Sequence, residues 1–162
     1  MKFNDSHSYG DADVEAVYSL ITSEDFRTEA AEDVGATDLD VTVDESGGGH
    51  TVTIVRTQPA DMPDFVKKLT GDTVKVKQTE KWGPADSDGT RKADVKVSII
   101  GQPAEMVGKA VLTSAGGNGT KFTVDGDVKV SIPFIGKKVE PEVAKAIKAS
   151  LKHEVELGTS RL

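Results

Sequence analysis

The chain of 162 residues contains no cysteine, three histidines, one tryptophan, two tyrosines and five phenylalanines. Without cysteine there is no disulfide, no thiolate nucleophile and no Cys-ligated zinc, an absence that fits a reducing compartment. His7, His50 and His153 are far apart, and "HEVEL" at 153–157 has Leu157 where a zinc helix needs its second histidine. Neither a metal nor a cofactor is expected. No Gly-x-Ser-x-Gly elbow is present, and "SGGGH" at 46–50 lacks the lysine and following helix of a phosphate loop. "DSDG" at 86–89 resembles part of a calcium loop, but Pro84 stands at the first ligand position and the distal glutamate is missing, so it reads as a turn.

Long apolar runs are also missing. No stretch approaches the roughly 18 apolar residues of a membrane helix, and "MKFNDSHSYG" has no apolar leader segment. A cytoplasmic location without integral membrane association is the expectation. The 27 acidic against 20 basic residues leave a net charge of -7, which repels phosphates and argues against nucleic acid as a partner. With 36% hydrophobic and 29% charged residues and 16 glycines, the composition predicts a turn-rich globular chain forming a single domain over 1–162. Asn4-Asp5-Ser6 and Asn118-Gly119-Thr120 match a glycosylation triplet but read as a strand and a hairpin turn.

Periodicity supplies the elements. "MKFNDSHSY" alternates as a strand, placing Phe3, Asp5, His7 and Tyr9 on one side. Asp11 or Asp13 can cap a helix with Val14, Val17, Tyr18 and Ile21 on one stripe. Thr22 or Ser23 starts a second short helix with Phe26, Ala30 and Val34 inward and Gly35 at its C-terminal cap. From Leu39 the period changes to two, and six strands follow, separated by turns such as "SGGG", "ADSDG", "GQP" and "AGGNG". Short connections predict antiparallel pairing. One helical turn interrupts the strands: "PADMPDFVKKLTG", read with Met62, Phe65 and Leu69 on one side and Lys67 and Lys68 on the other. At the C-terminal end Val143, Ile147, Leu151 and Val155 recur every four residues, and Pro141 places the start of a long helix near Glu140, after a helical turn at 135–139.

The order of strand, two helices, six strands and long helix resembles the helix-grip fold of the START-like superfamily (SRPBCC), which includes lipid-transfer proteins and polyketide cyclases. The opening "MKFNDSHSYGDADVEAVYSLITSEDFR" and the ending "VKVSIPFIGKKVEPEVAKAIKASL" carry the resemblance. The segment "RTQPADMPDFVKKLTGDTVKVKQTEKWG" is similar to an actinobacterial START-like family of unknown function. The resemblance implies an α+β fold: a curved seven-stranded antiparallel sheet wrapped around the C-terminal helix, with two short helices between strands 1 and 2. It also implies a cavity between sheet and helix.

Strand and helix parity then give candidate lining residues: Gln78, Glu80 and Trp82 beside Val74 and Val76, Met106 and Phe122 on later strands, and Ile147 and Leu151 on the helix. Glu80, if inward, needs a partner or a raised pKa; otherwise the inward stripe ends at Val76 and the rest lies at a wet rim. Tyr9, Phe65 and Trp82 are candidates for the cavity mouth, and Met62, Phe65 and Leu69 for a flap that covers it or a plug that fills it. Mid-strand Gly108 and Gly126 mark either a bend or close approach, or space for a ligand. The expected function is noncatalytic binding of a hydrophobic or amphipathic small molecule, lipid- or polyketide-like, whose arrival would protect Trp82 and Phe65. The alternatives are a protein-interaction domain with a filled cavity, and a cyclase- or hydrolase-like enzyme using Asp5 and His7 or Gln78 and Glu80.

Overall fold

The computed structural model describes residues 1–117 and 119–162. Asn118 lies outside the described residues, and with it the turn reading of the triplet that it opens. The elements are β1 (Lys2–Ser8), α1 (Val14–Ile21), α2 (Glu24–Asp33), β2 (Thr37–Ser46), β3 (Gly49–Pro59), α3 (Asp64–Thr70), β4 (Thr73–Trp82), β5 (Arg91–Ile99), β6 (Ala104–Ser114), β7 (Thr120–Val130) and α4 (Gly136–Arg161). The seven strands form one antiparallel sheet in the order β1-β7-β6-β5-β4-β3-β2. Helices α1 and α2 carry the chain from one edge strand to the other. Their starts follow side-chain capping: Asp13 accepts from the Ala16 N–H at 2.8 Å and Ser23 from the Phe26 N–H at 3.3 Å.

One sheet face is largely apolar because most inward-parity residues are apolar, with Arg56, Gln58, Gln78 and Glu80 on β3 and β4 as exceptions. Val52 and Ile54, Val74 and Val76, Ala93 and Val95, Met106 and Ala110, and Phe122, Val124 and Val128 are all buried there. Against them α4 lays Val139, Val143, Ala144 and Val155. Each buried valine contributes about 1.5–3 kcal/mol of transfer free energy. Curvature has a local cause in β6 and β7, where Gly108 and Gly126 face each other in register. A Cβ on Gly108 would stand 2.2 Å from the Asp125 carbonyl oxygen, and one on Gly126 would stand 2.3 Å from that of Val107. The glycines thus serve close backbone approach.

Three element readings need correction. Helix α4 begins at Gly136 and runs through Pro141. Glu140 anchors this first stretch by accepting the Val130 N–H at 3.0 Å, and Gly136 packs so closely on β7 that a Cβ would meet the Val130 carbonyl at 2.2 Å. In α2, Arg27 rather than Val34 joins Phe26 and Ala30 in the interior, and Val34 is exposed. In α3, Val66 is buried while Phe65 and Leu69 are exposed, so the inward face is one residue away from the expected one.

Candidate functional site

Between the concave face and α4 lies a cavity of about 70 Å³. That is above the roughly 10–15 Å³ needed to hold a single water. Its apolar walls come from Val74, Val76, Val95, Val97 and Ile99 on the sheet with Met106, Ala110, Phe122 and Val124, and from Val143, Ile147 and Leu151 on α4. Outside it, between the 58–63 segment and α4, opens a larger crevice of about 740 Å³ by the same measure. Gln58, Met62, Ala146 and Ser150 belong to the walls of both. They form the partition between the cavity and the crevice.

One end of the cavity is polar, and it is built on alternate residues of two neighbouring strands. Strand β4 points Gln78, Glu80 and Trp82 inward, and β3 points Ile54, Arg56 and Gln58 the same way. Arg27 reaches in from α2 and forks onto Glu80, with Nη1 donating to Oε1 at 3.1 Å and Nη2 to Oε2 at 2.5 Å. Glu80 also accepts from Gln78 Nε2 at 2.6 Å and Trp82 Nε1 at 2.9 Å. Arg27 Nη1 further donates to the Ile21 carbonyl at 3.0 Å, while its Nε stands 3.5 Å from Glu154 Oε2 without a hydrogen bond. Arg56 donates from Nε to Gln58 Oε1 at 2.7 Å and from Nη1 to Gln78 Oε1 at 3.3 Å.

These contacts separate the two carboxylates. Burial works to raise the Glu80 pKa, but the Arg27 charge and the bonds from Arg27, Trp82 and Gln78 outweigh it and hold the group below the ordinary carboxylate value. Glu80 is therefore ionised at neutral pH and fully engaged as an acceptor. Glu154 goes the other way: burial raises its pKa and the neighbouring Glu80 charge adds to that, with Arg27 and Arg56 opposing. Burial lowers the Arg56 pKa, yet a guanidinium remains protonated throughout the neutral range.

Of the residues expected to line the cavity, Met62, Gln78, Glu80, Met106, Phe122, Ile147 and Leu151 do so. Tyr9, Phe65, Leu69 and Trp82 do not. Tyr9 is buried against Phe122, with ring centroids 5.9 Å apart, and beneath Gly158 of α4. Trp82 is sealed by α1, edge-on to Tyr18 at 6.1 Å, with its indole N–H spent on Glu80. Phe65 and Leu69 lie on the outer side of α3. Trp82 and Phe65 accordingly stand outside the cavity wall. Asp5 and His7 are bonded to each other at 2.7 Å on edge strand β1, apart from the cavity wall. Sequence reading missed Arg27, Arg56 and Glu154. For Arg56 the signal was present, since the alternation of β3 puts it in line with Val52 and Ile54.

A family model described as a protein of unknown function, DUF2505, matches residues 5–162. The chain belongs to this family. An uncharacterized protein of Mycobacterium tuberculosis is 32% identical over 100 residues, covering 59% of this chain and 57% of that protein. The chain thus matches little more than half the length of that relative. Among solved structures, an aromatase/cyclase from Streptomyces sp. R1128 superposes with a TM-score of 0.64 at 7% identity, over 99% of this chain and 92% of that one. Norcoclaurine synthase from Thalictrum flavum gives 0.60 at 12% identity, over 97% and 85% of the two chains. A Thermus thermophilus protein gives 0.63 at 15% identity, over 99% and 95%. The fold is a helix grip, shared with these three structures. These identities speak to fold alone.

Proposed function

We propose that this chain is a binding protein for a small amphipathic molecule held between the sheet and α4. The observation that carries the reading is the cavity's division into a long apolar wall and one polar end, the form of a site that buries a ligand body and orients it by a few polar atoms. The cavity as it stands is narrow, so entry requires the partition of Gln58, Met62, Ala146 and Ser150 to part, with the 60–71 segment as the moving piece. Helix α3 suits that role because it is seven residues long, has no side-chain cap and buries one residue, Val66. Burying roughly 300 Å² of apolar ligand surface supplies about 7 kcal/mol before association costs.

The test is native mass spectrometry of freshly purified protein, solvent extraction of any bound molecule, and titration with the neutral dye N-phenyl-1-naphthylamine. A discrete adduct or saturable dye binding, weakened by Ile147→Trp, supports the reading. Absence of both contradicts it. One feature favours an enzymatic reading: Glu154, whose pKa burial raises, lines the same cavity and has the character of a general acid. If extraction yields a substrate and product pair, the enzymatic reading predicts turnover by the wild-type chain that Glu154→Gln abolishes, and the binding reading predicts no turnover by the wild-type chain.

A further inference from the structure

Arg56 is 7% exposed, and its guanidinium lines the cavity. Among the described residues no carboxylate oxygen comes within 4.0 Å of it, its bonds going to the amide oxygens of Gln58 and Gln78. Nη2 makes no hydrogen bond to the described residues. Of the carboxylates in the same wall, Glu105 pairs with Lys96 at 3.6 Å, and Glu154 attracts Arg56 without hydrogen-bonding to it. Both oxygens of Glu80 are taken by Arg27, and Glu154 stands beside Arg27 Nε. A buried cation hydrogen-bonded only to neutral acceptors is costly to fold and gains from an incoming anion.

The surroundings are arranged for that anion. Glu80 accepts from the Gln78 NH2, which turns Gln78 Oε1 towards Arg56 and fixes the guanidinium. Gln58 uses its oxygen on Arg56, leaving its amide NH2 as a further donor at the rim where Ser150 brings a hydroxyl. The charged and titratable groups facing Arg56 are Arg27 from α2, Glu80 from β4, and His153 and Glu154 from α4. Glu80 is neutralised by Arg27, and burial raises the Glu154 pKa.

We propose that Arg56 is the recognition point for a single carboxylate carried on an apolar body, the guanidinium fork taking the acid group while Val76, Val97, Met106, Ile147 and Leu151 take the rest. This rests on the ligand-binding reading above and names the ligand class as amphipathic monocarboxylic acids. The planar fork matches a carboxylate with two parallel bonds, a fit that an alcohol cannot reproduce.

The test compares decanoate with decanol at neutral pH on the wild-type chain, Arg56→Met and Arg56→Lys, with circular dichroism confirming that each variant is folded. The decanoate-to-decanol affinity ratio should fall about tenfold or more in Arg56→Met, the loss expected for a charged hydrogen bond, and partly recover in Arg56→Lys. An unchanged ratio with both compounds bound overturns the Arg56 assignment and leaves the binding reading standing. Binding of neither, with N-phenyl-1-naphthylamine also unbound, overturns both. Should Arg56→Met fail to fold, carboxyl-labelled decanoate on wild-type protein decides by NMR. A bound carboxyl pKa below that of the free acid supports pairing with Arg56, and one above it means burial without a cation and overturns the proposal.

Discussion

Replacing Glu80 with leucine removes the acceptor of four hydrogen bonds in one step, two from Arg27 and one each from Gln78 and Trp82. The Arg27 side chain is 1% exposed and keeps only the Ile21 carbonyl and a Glu154 oxygen 3.5 Å away. Leaving one partner of a buried pair behind costs about 3–5 kcal/mol, far more than a surface ion pair is worth. For a chain of this size that corresponds to a fall in Tm of about 6–20 °C. Glu80→Gln keeps an acceptor oxygen without the charge and should lose less, about 1.5–3 kcal/mol. The sign with pH follows from the lowered Glu80 pKa. Its stabilisation is present above the unfolded value of about 4.3 and is lost as pH falls through the lower folded value. The gap between wild type and Glu80→Gln should thus be widest near neutrality and close in acid. Urea unfolding followed by circular dichroism at several pH values measures it. A Glu80→Leu chain within about 1 kcal/mol of wild type, or a gap that widens in acid, would refute the reasoning.

Glu154 has the opposite sign. Because its folded pKa is raised, its contribution is present below the unfolded value of about 4.3 and is lost as pH rises through the folded one, so Glu154→Gln should gain on wild type as pH rises above about 4.3 in the same unfolding assay. Gly126→Ala places a Cβ 2.3 Å from the Val107 carbonyl and should cost more than about 3 kcal/mol or abolish folding, whereas Gly71→Ala, with φ at +83° and open space around it, should cost about 1 kcal/mol by thermal melting. On α3, Phe65→Ser and Leu69→Ser should stay within about 0.5 kcal/mol of wild type and Val66→Ala should cost about 2 kcal/mol, an order that a buried Phe65 would reverse.

The strand and helix order was legible because the period changes are sharp: two along β1 and from β2 onward, nearer four over the long C-terminal stripe. Seven residues make α3 too short to fix its phase. Met62, Phe65 and Leu69 satisfy helical spacing as well as Met62 and Val66 do, and only packing chooses between them. Pro141 argues for a later start to α4, but the bond from Val130 to Glu140 holds the preceding turn in line with it. The cavity's apolar wall was legible from parity on β4, β6 and β7. Tyr9 and Trp82 were misplaced because an aromatic on an inward parity fits a cavity and a packed core equally well, and the covering helices decide. Glu80 shows the limit at a single position: its parity pointed inward, but its partner Arg27 lies 53 positions earlier in sequence on another element. Arg56 was recoverable by the same alternation that placed Glu80.

The most direct test of ligand binding between sheet and helix is a methyl NMR titration of the folded chain with decanol, whose neutral head makes no demand on Arg56. Saturable shifts are expected at Val76, Val97, Met106, Ile147 and Leu151, with Met62 following as the partition parts. Shifts confined to exposed Leu69, Ile100 and Val107, or none at all, would contradict binding between sheet and helix.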